Sequence, residues 1–195
     1  MLYRTETLLE ILSEDYSNPA CKLGRLVEEG KYIPIIRGLY ETDPETPGQY
    51  LAEEIYGPSY LSFEYAMGVH RLISSFDDRR FTSATCMKHR TKHHETAFGT
   101  FEYRDVPAAV FGLEVNYVDC GDYSYSIANP EKALCDTLYT MPPAHNRQEL
   151  EHMMLDVLRL DRYKLPELDV SVVSFLSERY RCTNVKLLRS YLANL

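Results

Sequence analysis

The sequence predicts an α+β fold: a small N-terminal module, then a larger domain with a mostly antiparallel sheet and a C-terminal helical cluster. Three observations predict it. Helical periodicity fills residues 6–30 and gives way to a short β-rich ribbon ending near residue 42. Residues 81–126 lose that periodicity and are rich in β-branched and aromatic side chains. From Ile127 onward helix signals run to the last residues. The 195 residues suffice for one large domain, or for a small module and a main domain.

The elements follow in order. In "ETLLEILSE", residues 6–14, Leu8, Leu9, Ile11 and Leu12 share a helical stripe. Asn18 is placed to cap a second helix, with Pro19 at its first position and Gly30 as its stop. "KYIPIIRGLYET" then reads as two short strands or one bent strand. Helix, turn, helix and β-ribbon is the order of a winged helix-turn-helix, here with two visible helices instead of three. "DPETPG", residues 43–48, is a turn-rich linker, so the boundaries are 1–44 for the winged-helix-like module and 48–195 for the main domain.

"QYLAEEIY" predicts a short helix ended by Gly57-Pro58, and Ser62 is placed to cap "FEYAMGVHRL". "FTSATCM", "GTFEYRDV", "EVNYVDC" and "DYSYSIA" predict roughly four strands, antiparallel because the connections are too short for crossover helices. Asn129, Pro130 and Glu131 then make a helix start: a side-chain cap, a residue with no N–H to lose, and a negative charge at the positive end of the dipole. Pro142-Pro143 stops that helix. "NRQELEHMMLDVLRL" predicts an amphipathic helix with Leu150, Met153, Met154, Val157 and Leu158 as its apolar stripe, and two more helices follow near 169–179 and 184–193.

Composition narrows the function classes. The net charge is −8, so any nucleic-acid contact must come from a local patch. Five cysteines, an odd number without a C-x-x-C, read as reduced thiols in a cytoplasm. Acids occupy the N-terminus where a signal peptide needs an apolar core, and no apolar run approaches the ~18 residues of a membrane span. Cys86, His89, His93 and His94 have zinc-ligand chemistry but no second pair nearby, and read as loop residues; no metal or cofactor is expected. No nucleophile elbow, P-loop, dinucleotide fingerprint or nucleotidyltransferase metal motif is present. Cys135 reads as a core thiol. The chain is therefore expected not to be an enzyme; an alternative, a nucleotide- or phosphate-handling one, would have to use Glu131, Lys132, Asp136 or the basic stretch below.

The charged candidates fall into three groups. On the second helix Lys22 and Arg25 lie three apart on one face, and Lys31 and Arg37 sit where a wing meets a DNA backbone. From Arg79 to His94 the chain carries Arg79, Arg80, Lys88, Arg90 and Lys92 without an acid. That stretch fits either a site for phosphate-rich material or an acidic partner, or a solvated basic loop. The third group is Pro130, Glu131, Lys132 and Asp136 at the strand-to-helix joint, whose reading from physics alone is structural.

Five pieces in order carry a resemblance. "GRLVEEGKYIPIIRGLYE", "YLSFEYAMGVHRL", "FEYRDVP", "IANPEKALCDTL" and "TNVKLLRSYL" resemble successive blocks of AbiEi-type proteins, the antitoxin and transcriptional-regulator half of type IV toxin–antitoxin systems. The fourth is similar to the family's Ala-x-Pro-Glu-Lys-Ala-Leu-x-Asp block. The resemblance runs from about Leu23 to the C-terminus. It implies a winged helix that binds operator DNA through the segment holding Lys22, Arg25, Lys31 and Arg37. It also implies a larger domain that opposes a nucleotidyltransferase toxin, without requiring a stable complex. It assigns no catalytic residue, and Pro130, Glu131, Lys132 and Asp136 belong to its signature block. The sequence departs from the pattern at its start, where the first helices are short and residues 1–42 carry seven acids against five bases. A protein-interaction module without DNA binding is the alternative that this acidity suggests.

Overall fold

The computed structural model describes residues 1–195 and is α+β throughout. It opens with a strand the sequence did not announce, β1 (Leu2–Arg4), followed by α1 (Thr5–Ser13), α2 (Pro19–Glu28), β2 (Ile33–Ile36) and β3 (Leu39–Glu41). The three strands form an antiparallel sheet in the order β1-β3-β2. Asn18 accepts the Cys21 N–H at 3.1 Å and Pro19 fills the first helical position of α2. Gly38, at φ +89°, makes the tight turn between β2 and β3.

This small sheet is apolar on both faces. Tyr3 and Tyr40 face α1 and α2, whose Leu8, Leu12, Leu23 and Leu26 form a minor core with them. Leu2 and Leu39 point the other way, with Ile35, into the main core. The period-2 alternation of a strand thus serves two cores at once. Glu41 shares the inner face and is wholly buried. It accepts the Thr42 N–H at 2.8 Å and the Tyr123 hydroxyl at 2.9 Å, and pairs with the terminal amine of Met1. Burial pushes its carboxyl up, but those hydrogen bonds more than offset this and hold it below the ordinary range.

The body follows: α3 (Ala52–Ile55), β4 (Tyr60–Leu61), α4 (Phe63–Val69), β5 (Arg80–Thr85), β6 (Lys92–Thr96), β7 (Gly99–Asp105), β8 (Val115–Asp119) and β9 (Ser124–Ala128). The helices α5 (Pro130–Thr140), α6 (Arg147–His152), α7 (Val170–Tyr180) and α8 (Thr183–Leu192) complete it. The six strands run in the order β6-β7-β5-β4-β9-β8. Three of the five pairings are antiparallel; β5–β7 and β4–β9 are parallel. The first parallel pair needs no crossover helix, because β6 lies outside β7 and returns the chain. No helix is long and apolar enough to cross a membrane.

Several local expectations need correction. Residues 92–96, expected as part of a basic loop, form edge strand β6. Ile11 is exposed, so the stripe of α1 is narrower than its four apolar residues suggest. Ser62 stands at the start of α4, but its hydroxyl makes no cap and bonds Asp136 instead. The helix predicted over "NRQELEHMMLDVLRL" breaks after His152 into a π-helical turn over Met153–Val157. That wider turn rotates the register, leaving Met154 buried but Val157 exposed.

Candidate nucleic-acid interface and signature helix

The N-terminal head, β1 to β3 (Leu2–Glu41), brings its four expected cations to the surface in unequal states. Arg25 is exposed in the last turn of α2, beside Gly24, whose missing side chain leaves open space. Arg37 is exposed at the tip of the β2–β3 ribbon, and that tip is tied to α1 by the Thr5 N–H donating to the Gly38 carbonyl at 3.0 Å. Neither arginine forms an ion pair within the chain. Lys22 sits over the Tyr16 ring, 4.8 Å from its centroid. Lys31 pairs with Glu29 at 3.3 Å, both largely exposed, a contact that water and salt screen.

The basic stretch from 79 to 94 does not form one surface. Strand β5, six residues and about 20 Å of extended chain, begins at Arg80, so Arg79 and Arg80 stand at one end of it and Lys88 and Arg90 beyond the other. At one end the Arg79 guanidinium donates to the Ala97 carbonyl at 2.9 Å. Arg80 grips Glu102 through two hydrogen bonds of 2.9 Å, and Arg104 does the same to Glu64 at 3.1 and 2.7 Å. Burial pushes the Glu102 carboxyl up, but the hydrogen bonds and charge of Arg80, aided by Arg104, hold it below the ordinary range. Arg80 and Arg104 are thus paired with carboxylates where they stand, and Arg79 is held by a backbone carbonyl.

At the other end of β5, Lys88 donates to the Gly57 carbonyl at 3.0 Å with its ammonium over the Tyr56 ring, and Arg90 reaches the Tyr56 hydroxyl at 3.4 Å. Asp105 holds this loop, accepting from the Thr85 hydroxyl at 2.6 Å and the His89 N–H at 2.5 Å. Lys92 is half-buried on β6. His94 is pulled below its ordinary value by burial, then by Lys92 and His93. Cys86, His89, His93 and His94 form no metal-holding group.

The signature block folds into a dry joint. Asn129 accepts the Lys132 N–H at 2.8 Å while its amide donates to Glu114 at 2.9 Å. Pro130 takes the first helical position of α5. Glu131 reaches across to accept the N–H of Asp169 at 2.8 Å, fastening the start of α7. Lys132 and Asp136, one turn apart, are both fully buried and paired at 2.7 Å. Asp136 also accepts from Ser62 at 2.7 Å, Tyr60 at 3.1 Å and Tyr180 at 2.5 Å. The Lys132 ammonium donates to the Tyr180 hydroxyl as well.

Burial is the main cause that pulls Lys132 down, with Asp136 pulling back; burial and the Asp136 charge push Tyr60 and Tyr180 far up, so both stay neutral donors. Each polar group in the circuit has its partner, and none of the five residues is more than 4% exposed. Such a circuit fixes β4, α5 and α7 against each other, and it offers no reacting atom a place to stand. Cys135, beside it, is fully buried.

Sequence reasoning found Lys132 and Asp136 but not their partners. Tyr60, Ser62 and Tyr180 lie 76, 74 and 44 residues from Asp136, and nothing local in "YLSF" or "SERY" announces a carboxylate. The turn at Ser62 carries one trace of the arrangement. Phe63, buried, sits at φ +53°, a left-handed conformation that a bulky residue adopts only when its surroundings compel it. That turn swings the chain from β4 into α4 with the Ser62 hydroxyl on Asp136. No protein-family model matches the chain, and no curated protein does.

Proposed function

We propose that this chain is a DNA-binding transcriptional regulator of the AbiEi type, the antitoxin half of a type IV toxin–antitoxin pair acting in the cytoplasm. The observation that carries the reading is the topology of the head. Strand, helix, helix and ribbon, with the sheet ordered β1-β3-β2, is the plan of a winged helix that lacks its first helix. In that plan α2 would be the recognition helix and the β2–β3 ribbon the wing, which would set Arg25 and Arg37, two exposed cations without an internal ion pair, against DNA. The body would oppose a nucleotidyltransferase toxin without chemistry of its own. The buried state of Lys132 and Asp136 supports a structural role for the signature block.

Binding of this kind is electrostatic first, with few base contacts. Four phosphate contacts, by Lys22, Arg25, Lys31 and Arg37, correspond to a salt slope of about −3.6 in log affinity against log salt. The test is fluorescence anisotropy with the DNA upstream of the gene, comparing the wild type with Arg25→Glu plus Arg37→Glu. Loss of binding by a folded double variant is the expected result; unchanged affinity at moderate salt would rule out this surface.

A second reading has its own observation. Lys22 and Lys31 are already engaged within the head, and its acids outnumber its bases. The head would then be a protein-docking element without DNA affinity. Rescue from the toxin by the full-length double variant, with no DNA binding in the wild type, would favour this alternative.

A further inference from the structure

Strand β4 is two residues long, yet it lies between β5 with six and β9 with five. Before Tyr60 the chain leaves the sheet, and a notch opens toward edge strand β8. A cleft of about 250 Å³ occupies it, walled by Tyr60, Phe111 and Tyr117 and reached by Glu53, Ser59 and Ser126. The Tyr60 and Phe111 rings lie 5.3 Å apart at a tilt of 47°. Tyr117 stands largely exposed on β8 beside its cross-strand neighbour Ser126.

Two polar features distinguish this cleft from an ordinary surface dimple. Ser59 is 4% exposed, and its hydroxyl has no hydrogen-bond partner in the fold. Such groups are rare in native proteins and call for an explanation. The residue lines both this cleft and a tighter crevice beneath it. Glu53 stands at the mouth on α3, next to Glu54. Arg4 pairs with Glu54 at 3.0 Å and leaves Glu53 without a cation. Burial first, and the Glu54 charge second, push the Glu53 carboxyl up, as expected of a carboxylate lacking a donor. No lysine or arginine lines the cleft, and the nearby Lys132 ammonium, 5.3 Å from the Tyr60 ring centroid, is neutralised by Asp136, so Glu53 is the one charged group in the lining.

We propose that this notch is a binding site for a small organic cation with N–H donors, a primary amine or guanidinium on a short aromatic or aliphatic frame. Glu53 accepts the charged N–H groups, the hydroxyls of Ser59 and Ser126 take the remaining ones, and the aromatic faces hold the frame and the charge. The inference stands independently of DNA binding.

Titration calorimetry of the full chain with tyramine and with agmatine tests it, with choline as a cation that has no N–H. Saturable binding of tyramine or agmatine is expected, with choline about tenfold weaker. Glu53→Gln should weaken binding about tenfold, the loss of one charge-assisted hydrogen bond, and Tyr117→Ala, at an exposed position, several-fold. In NMR spectra of the wild type the amide signals of Tyr117 and Ser126 should shift on adding the amine. Absence of binding through the millimolar range, equal affinity for choline, indifference to Glu53→Gln, or shifts confined to other residues would each overturn the proposal.

Discussion

The α5 joint and the N-terminal head use the same residue types in opposite surroundings. Lys132 and Asp136 are dry, matched and enclosed by Tyr60, Ser62 and Tyr180. Arg25 and Arg37 are wet and hold nothing within the chain. The difference teaches that charge alone says little about role. A buried pair is retained because removing either member strands the other, whereas an exposed cation costs the fold nothing and is available to a partner.

The sharpest way to break this comparison is to strand a charge. Asp136→Ala leaves the Lys132 ammonium buried without its counter-ion and should destabilise the protein by about 3–5 kcal/mol in urea denaturation. Lys132→Met combined with Asp136→Leu should recover only part of that loss, since it removes the stranded charge but leaves the hydroxyls of Tyr60, Ser62 and Tyr180 without their acceptor. A cost for Asp136→Ala below about 1 kcal/mol would mean that the pair does not hold the joint. On the wet side, Arg25→Glu with Arg37→Glu should leave stability within about 0.5 kcal/mol. The same variant should lower DNA affinity about a hundredfold at low salt, read by anisotropy.

Between these extremes lies the cap. Asn129→Ala removes the acceptor for the Lys132 N–H and the donor to Glu114, and should cost about 1–2 kcal/mol by the same denaturation assay. The smallest effect concerns Glu102. Its carboxyl is held below the ordinary value of 4.5 by Arg80 and Arg104, so its contribution to stability is present above that value and is lost as pH falls through the lower folded one. The stability gap between wild type and Glu102→Gln should therefore be constant near neutrality and close below about pH 4.5, followed by denaturation midpoints. A gap that persists at low pH would show the ion pair to be irrelevant.

What the sequence disclosed follows from the range of the forces involved. Helices α2 and α5 were legible because Asn18-Pro19 and Asn129-Pro130 act within three residues. Strand β6 was not, since "KHHET" has no apolar alternation; it is an edge strand with one neighbour, and edge strands carry charge to avoid further pairing. Strand β1 was too short to show a period. The break after His152 was hidden because a π turn preserves helical composition while shifting its face. The candidate cations of the head could be named from the chain. The division of Arg79 and Arg80 from Lys88 and Arg90 could not, because it depends on a strand whose ends lie apart. The partners of Asp136 were beyond any local rule.

The ribbon shared between two cores has a mechanical consequence. With Leu2, Ile35 and Leu39 seated in one core and Tyr3 and Tyr40 in the other, no hinge separates the head from the rest. A tether-like linker would let α2 turn independently of the body; this arrangement makes it a fixed prong. In any assembly of two copies, the distance and angle between the prongs would then be set by how the bodies meet, and whatever reshapes that meeting would retune both together.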